Sequence, residues 1–412
     1  MQPTPALDLN FVRHCFPAFT EPGLIGTAFL ENAGGSYACL QVIHRLDTYY
    51  RRLKVQPYGA YPASREAGEW MDAAYTRLAP YLGVPESWLN FGPSTSQNTY
   101  VLAQAFRRLL QPGDEIVVTN QDHEANSGVW RRLAADGVVI REWQVDPHTG
   151  HLDPNALAGL LGPRTRLVCF AHCSNIVAEI NPVARIAAMA HAVGALCLVD
   201  AVSYAGHGFA DVAALGADIY LFSLYKTFGP HQGLMIMRPE LRAQLGNEAH
   251  YFNADQPRKC LVPAGPDHAQ VAAAAGIADY FDALDIHHHP GADPANRPAR
   301  VRALFQQAEH TLLTRLLDGL HSRPSLRVLG PPTADGRAAT VAVVPDTMTP
   351  AQLAAALGEH GVMVGAGHFY AVRLLEAMGI DPARGVLRIS MVHYNSLADV
   401  DQLLHALDAV LG

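Results

Sequence analysis

Lysine is nearly missing from this chain. Of its 30 Lys and Arg residues only three are lysines, Lys54, Lys226 and Lys259. A protein that takes almost all its positive charge from arginine does not rely on lysine for solubility. Lysine, unlike arginine, can lose its proton when desolvated and then attack a carbonyl. Charge in general is sparse, at 17% of residues, with a net charge of -8 and a pI near 6.2. No basic run occurs, which argues against a nucleic-acid surface and disfavours an anionic membrane. No apolar stretch reaches the roughly 18 residues a membrane span requires. The N-terminal stretch lacks a basic region followed by an apolar one, so no secretory signal is expected. Six cysteines, at 15, 39, 169, 173, 197 and 260, are too scattered for the disulfide framework of a small secreted domain. Reduced thiols and a cytoplasmic location are expected. Cys169 and Cys173 bracket His172 in "CFAHC", yet no second ligand pair has finger-like spacing, and no metal is expected. The phosphate loop GxxxxGK[ST] and the fingerprint GxGxxG are both missing, which excludes the common nucleotide sites.

What is present is apolar, periodic and long. At 412 residues and 49% hydrophobic content, two compact domains are expected. "GDEIVVTN" (113–120), "GVVIREWQV" (137–145), "RLVCFAHC" (166–173), "ALCLVDAV" (195–202) and "DIYLFSL" (218–224) read as strands. Helical stretches alternate with them, the clearest being "NPVARIAAMAHAVG". Val183, Ile186, Ala187, Ala190 and Val193 form its apolar stripe. Such alternation predicts a parallel sheet covered on both faces. "HHHPGADPANRP" (287–298) reads as a boundary, with His287 to His289 in a solvated linker. Beyond it a smaller α/β unit of about 120 residues follows.

In open parallel sheets ligands collect at the carboxyl ends of strands. Four polar groups fall at such ends: Asp200 after "LCLV", Lys226 after "DIYLFSL", His123 after "IVVTNQD" and Asn175 after "VCFAHCS". An anion cradle also appears. "FGPSTSQNTYVLAQAFRRLL" sets Ser94, Thr95 and Ser96 at the start of a helix, where backbone N–H groups and hydroxyls favour a phosphate. A cofactor with an aldehyde, a phosphate and a ring nitrogen would use all of these parts. The lysine forms its imine, the aspartate keeps the ring nitrogen protonated, an imidazole stacks on the ring, and the helix holds the phosphate. That cofactor is pyridoxal 5′-phosphate (PLP).

From "FLENAGGS" (29–36) to "VLRISMVHYNSLADVDQLL" (386–404) the chain resembles a class V aminotransferase of PLP fold type I, on the cysteine desulfurase and selenocysteine lyase branch. "VDAVSYAGH" and "FSLYKTFGPHQG" carry the likeness, with Asp200 and Lys226 26 residues apart. The resemblance implies an α/β fold, with a large domain (21–290) holding a mostly parallel seven-stranded-type sheet and a small C-terminal α/β domain (291–412). An N-terminal arm (1–20) would pack with the small domain. It further implies Lys226 as the Schiff-base lysine, Asp200 as partner of the ring nitrogen, His123 stacked on the ring and Asn175 at its phenolic oxygen. Ser94, Thr95, Ser96 and Ser223 would hold the phosphate, with Ser203 and Tyr225 lining the cofactor. Arg388 would clamp the substrate carboxylate, and Asn32, Ala33, Gly34, His368 and Tyr370 would line the substrate mouth. The family implies a homodimer with a shared active site and an amino-acid substrate.

Three departures stand out. Tyr225 replaces the histidine that often precedes the lysine, and Gly265-Pro266 replaces the glycine-threonine of the partner's phosphate segment. In "GHFYA" (367–371) Tyr370 stands where a desulfurase has its nucleophilic cysteine. The expected activity is β-elimination of the C–S lyase type without an enzyme persulfide. The alternatives are transamination or epimerisation, and a PLP-binding protein without turnover.

Overall fold

The computed structural model describes residues 5–412. Its centre is a seven-stranded sheet built from β1 (Leu89–Gly92), β2 (Glu115–Thr119), β3 (Val139–Trp143), β4 (Thr165–Ala171), β5 (Leu196–Asp200), β6 (Ile219–Ser223) and β7 (Gly233–Met237). The spatial order is β1-β7-β6-β5-β4-β2-β3, and β7 alone runs against the others. Both faces are covered, so side chains alternate between two cores rather than between core and water. Cys197, Val199, Tyr220 and Phe222 point to one core, with Leu198, Ile219 and Leu221 in the other. That is why these strands read as unbroken apolar runs.

A second, antiparallel sheet orders Gly365–Gly367, Val386–Ser390, Thr340–Pro345 and Leu326–Val328. Helices Pro350–Glu359 and Leu397–Leu411 cover it, contributing Leu353, Leu357, Leu403 and Leu407 to its core. The long helix Arg297–His321 serves both units. Val301, Leu304 and Phe305 enter the large core, and Leu312, Leu313, Leu316 and Leu320 enter the small one.

Two expectations about the connections need correcting. The His287–His289 run is no solvated linker, because helix Ala275–His288 continues through it. The His287 ring stacks on Phe11 with centroids 4.0 Å apart, and His288 Nε2 accepts from the Asp8 N–H at 2.8 Å. Arg297 and Arg300 then tie back to Asp285, so this turn is pinned. The second correction concerns Ala28–Phe29, which pairs in parallel with Val362–Met363 and so joins the C-terminal unit. Ahead of it, Arg13 bridges to Asp399 at 2.6 Å, and the Phe16 ring packs edge-on against Phe228 and Tyr280. Among the described residues no helix is long and apolar enough to cross a membrane.

Candidate active site

The strand ends open into a cleft. Thr95, Ser96, His123, Asn175, Asp200, Ser203, Ser223, Tyr225 and Lys226 line it together. Nine of the sequence-predicted residues therefore converge.

One end of the cleft is a row of small residues. Ser223 on β6 is level with Gly233 on β7, and Gly233 is level with Gly92 on β1. A Cβ on Gly233 would lie 2.5 Å from the Ser94 carbonyl carbon, so only glycine lets helix Thr95–Arg107 start this close to the sheet. The result brings Thr95 Oγ1 within 2.8 Å of Ser223 Oγ, at a helix N-terminus. Ser94 Oγ caps the helix, accepting from the Gln97 N–H at 3.2 Å, and Ser94 is not among the residues lining the cleft.

Asp200 closes the floor from the end of β5. Its Oδ1 accepts from the Val202 N–H at 2.9 Å. Burial raises its pKa to about 6, although that hydrogen bond and Lys226 pull it down. Lys226 follows β6 on a single helical turn, Leu224–Lys226. Burial, reinforced by the Arg388 charge, lowers its pKa to about 8, with Asp200 and Glu31 opposing. A sizeable free-amine fraction at neutral pH is what a carbonyl-attacking lysine requires.

His123 is the N-cap of helix Glu124–Arg131, and its Nδ1 accepts from the Ala125 N–H at 3.1 Å. The ring proton therefore sits on Nε2. Burial, with Lys226 and Arg388 nearby, lowers its pKa to about 4, so the ring is neutral. Asn175 donates from Nδ2 to the Phe369 carbonyl at 2.8 Å and leaves Oδ1 buried without a partner. Tyr225 stacks on His231 with centroids 4.8 Å apart.

The rim comes from the C-terminal unit. Arg388, 2% exposed, donates from Nη2 to Glu31 Oε1 at 2.7 Å and from Nη1 to the Asn175 carbonyl at 3.4 Å. The Phe369 ring covers its guanidinium at 3.8 Å. Tyr370, 64% exposed, holds its ring 5.0 Å from that of His123. Asn32 and Ala33 line a small cavity that also borders Ser203 and Lys226. Asn32 is buried and bonded to Ser390 and Tyr394, Ala33 donates to Ser390 Oγ at 2.8 Å, and His368 is exposed with Nδ1 accepting from the Tyr370 N–H. Gly34 packs on the Glu31 carboxylate. Sequence reasoning missed Glu31 and Phe369, whose positions depend on contacts distant in the chain.

The chain matches the family model Aminotransferase class-V over residues 28–256 and 302–403. It belongs to that family. The Aminotransferase-like protein FGM3 of Gibberella zeae is 34% identical over 98% of this chain and 99% of its own. A probable cysteine desulfurase of Pseudomonas aeruginosa is 31% identical over 96% of both. Two solved structures share the fold: the cysteine desulfurase CsdA of Escherichia coli, with a TM-score of 0.83 at 24% identity over 99% of both chains, and a cysteine desulfurase of Thermococcus onnurineus, with a TM-score of 0.85 at 23% over 97% of both. Class-V members are PLP-dependent enzymes, and PLP is the family's cofactor.

The residues present fit that cofactor. A buried carboxylate with one backbone donor suits a protonated ring nitrogen, and the Thr95–Ser223 corner at a helix N-terminus suits a phosphate. The Asn175 amide offers unsatisfied capacity in the cleft wall.

Proposed function

We propose that this class-V protein is a lyase acting on an α-amino acid, eliminating a group from Cβ without passing it to an enzyme cysteine. The carrying observation is the cleft mouth: Tyr370 stands over His123, and all six cysteines are buried. Cys173, which lines the cleft, has its thiol pKa pushed up to about 12 by burial, far from the thiolate that sulfur transfer needs. The desulfurase relatives support bond cleavage between Cβ and sulfur, and transamination is the second reading, supported by the aminotransferase-like relative.

When bound, PLP supplies an electron sink for negative charge developing at the substrate Cα. The chain's own residues do the rest. Lys226 would hold the cofactor covalently and, once released, take the Cα proton on Nζ, helped by its lowered pKa. Asp200 would keep the ring nitrogen protonated. His123, neutral with its proton on Nε2, would lie on the ring face. Thr95, Ser96 and Ser223 would hold the phosphate, and Arg388 would orient the substrate carboxylate through its planar fork.

We also propose a homodimer and a reducing, cytoplasmic setting. Tyr251 and Phe252 stand 89% and 63% exposed, more than isolated surface aromatics warrant, and the buried free thiols agree with the setting. The test is to incubate holoenzyme with a panel of amino acids and measure ammonia, keto acid and sulfide. Stoichiometric release of a Cβ substituent supports the lyase. Conversion of the cofactor to its amine form, with keto acid and no leaving group, would replace it with the aminotransferase.

A further inference from the structure

Arg388 has its carboxylate partner before any substrate arrives. Glu31 Oε1 accepts from Arg388 Nη2 at 2.7 Å, while Glu31 Oε2 is buried without a donor. The surroundings are shaped for that carboxylate: a Cβ on Gly34 would come within 2.7 Å of Oε1, and one on Gly365 within 2.5 Å of Oε2. Two glycines thus wall the group with backbone, and no side chain from either position satisfies it.

Counting charge in the cleft sharpens the point. Lys226 and Arg388 are the cations, Asp200 and Glu31 the anions. With Asp200 assigned to the cofactor's ring nitrogen, Glu31 is what neutralises Arg388. Arg388 Nε is buried without a partner, so an incoming α-carboxylate can dock on that side of the guanidinium and draw charge away from its bond to Glu31. The Glu31 side chain is only partly buried, but its Oε2 is enclosed and lacks a donor, which is costly for a charged group. A substrate with a neutral side chain leaves that deficit in place. A substrate with a second cation removes it.

We infer that Glu31 is a specificity-determining residue: it pairs with Arg388 through Oε1 and accepts from a cationic group on the substrate side chain through the unpartnered Oε2. The substrate class is accordingly α-amino acids with a positively charged side chain. This rests on the amino-acid reading of the site and adds the side chain to it.

The experiment is to titrate PLP-loaded enzyme with two isosteric pairs, L-arginine with L-citrulline and L-lysine with L-2-aminoheptanoic acid, following the cofactor's visible absorbance. In the parent protein the cationic member of each pair should half-saturate at a concentration at least about tenfold lower, equivalent to ~1.4 kcal/mol. In Glu31→Gln that ratio should shrink to within about twofold, the size expected once a charged acceptor becomes neutral. Equal half-saturation within each pair in the parent, a measurement that needs no variant, would overturn the inference. So would a Glu31→Gln protein that tightens on all four ligands alike, since Glu31 would then only keep the place. If no amino acid changes the absorbance, the reading of the site itself fails, which is distinguishable from loss of the preference alone.

Discussion

Asp200, Ser223 and Lys226 lie within 26 positions of one another on neighbouring strands, whereas Glu31 and Arg388 meet across 357. The first group forms the floor of the cleft: Asp200 and Ser223 end strands buried on both faces, and Lys226 sits on the helical turn that follows β6. The second belongs to the rim, and there the backbone is strained. Phe369 and Tyr370 are consecutive non-glycine residues with φ of 48° and 58°, a conformation costing on the order of 1–3 kcal/mol each. Two hydrogen bonds hold that conformation: Asn175 Nδ2 to the Phe369 carbonyl, and the Glu124 N–H to the Tyr370 carbonyl, each 2.8 Å. The difference teaches a division of labour. On the proposed function, a floor welded to the sheet would fix the cofactor chemistry and a rim assembled from distant segments would set what is accepted.

Removing the floor's lysine should have the largest effect. Lys226→Ala is expected to lose covalent cofactor attachment altogether, with borohydride reduction and peptide mapping finding no label on Lys54 or Lys259. A label on either would move the floor elsewhere. In the unmutated apo-protein the attachment rate should follow the free amine. Protonation below a pKa near 8 should slow it about tenfold per pH unit, with a plateau above. A midpoint near the ordinary lysine value would mean that burial does not desolvate Nζ.

Asp200→Asn is next. The side chains are close in size, so folding and cofactor retention should survive. Loss of the charge that keeps the ring nitrogen protonated should slow turnover by about 10²- to 10³-fold, comparable to deleting one preorganised electrostatic group. Turnover within a few-fold of the parent would remove Asp200 from the floor's chemistry.

How much of this was legible in the sequence follows the same line. The alternating strands and helices were readable because a sheet buried on both faces demands unbroken apolar runs such as "DIYLFSL". Asp200, Lys226, His123 and Asn175 then stood out as polar groups at strand ends. Strand β7 was not singled out, since "GLMIM" follows β6 through the lysine loop without an intervening helix long enough to signal a crossover. Ser94 was grouped with the phosphate residues because capping and anion binding use the same residue types at the same place. The histidine run misled because polar, glycine- and proline-rich neighbours usually mark a linker, while the Phe11 stack that orders it comes from the other end of the chain. Glu31 carried no local signal in "FLENAGGS", for its meaning lies in one contact with Arg388.

At the rim the expected effects are smaller. Arg388→Lys keeps the charge but loses the planar fork and two of the guanidinium's five N–H donors, so substrate half-saturation should rise roughly 10-fold or more with cofactor absorbance unchanged. Phe369→Ala uncovers the guanidinium face and lets water screen it. A rise of about 3- to 10-fold is expected, the scale of a cation–π contact. If Phe369→Ala cost more than Arg388→Lys, the loop rather than the arginine would be the principal substrate contact.

The smallest expected effect falls on the cysteine nearest the cleft. Cys173 is 2% exposed, its Sγ faces the Ala178 carbonyl at 3.4 Å, and burial keeps its thiol protonated. A persulfide relay needs a mobile thiolate that reaches the substrate sulfur, and Tyr370 occupies the loop that would carry it. Cys173→Ala should therefore leave turnover within about twofold, with at most a modest loss of stability from the small cavity created. Incubating the parent enzyme with cysteine, then alkylating and weighing its peptides, should find all six thiols unmodified by sulfur. A persulfide on Cys173 forming as fast as alanine is released would break the comparison at its root. The floor would then carry sulfur chemistry that burial is expected to forbid, and the rim would no longer decide what kind of enzyme this is.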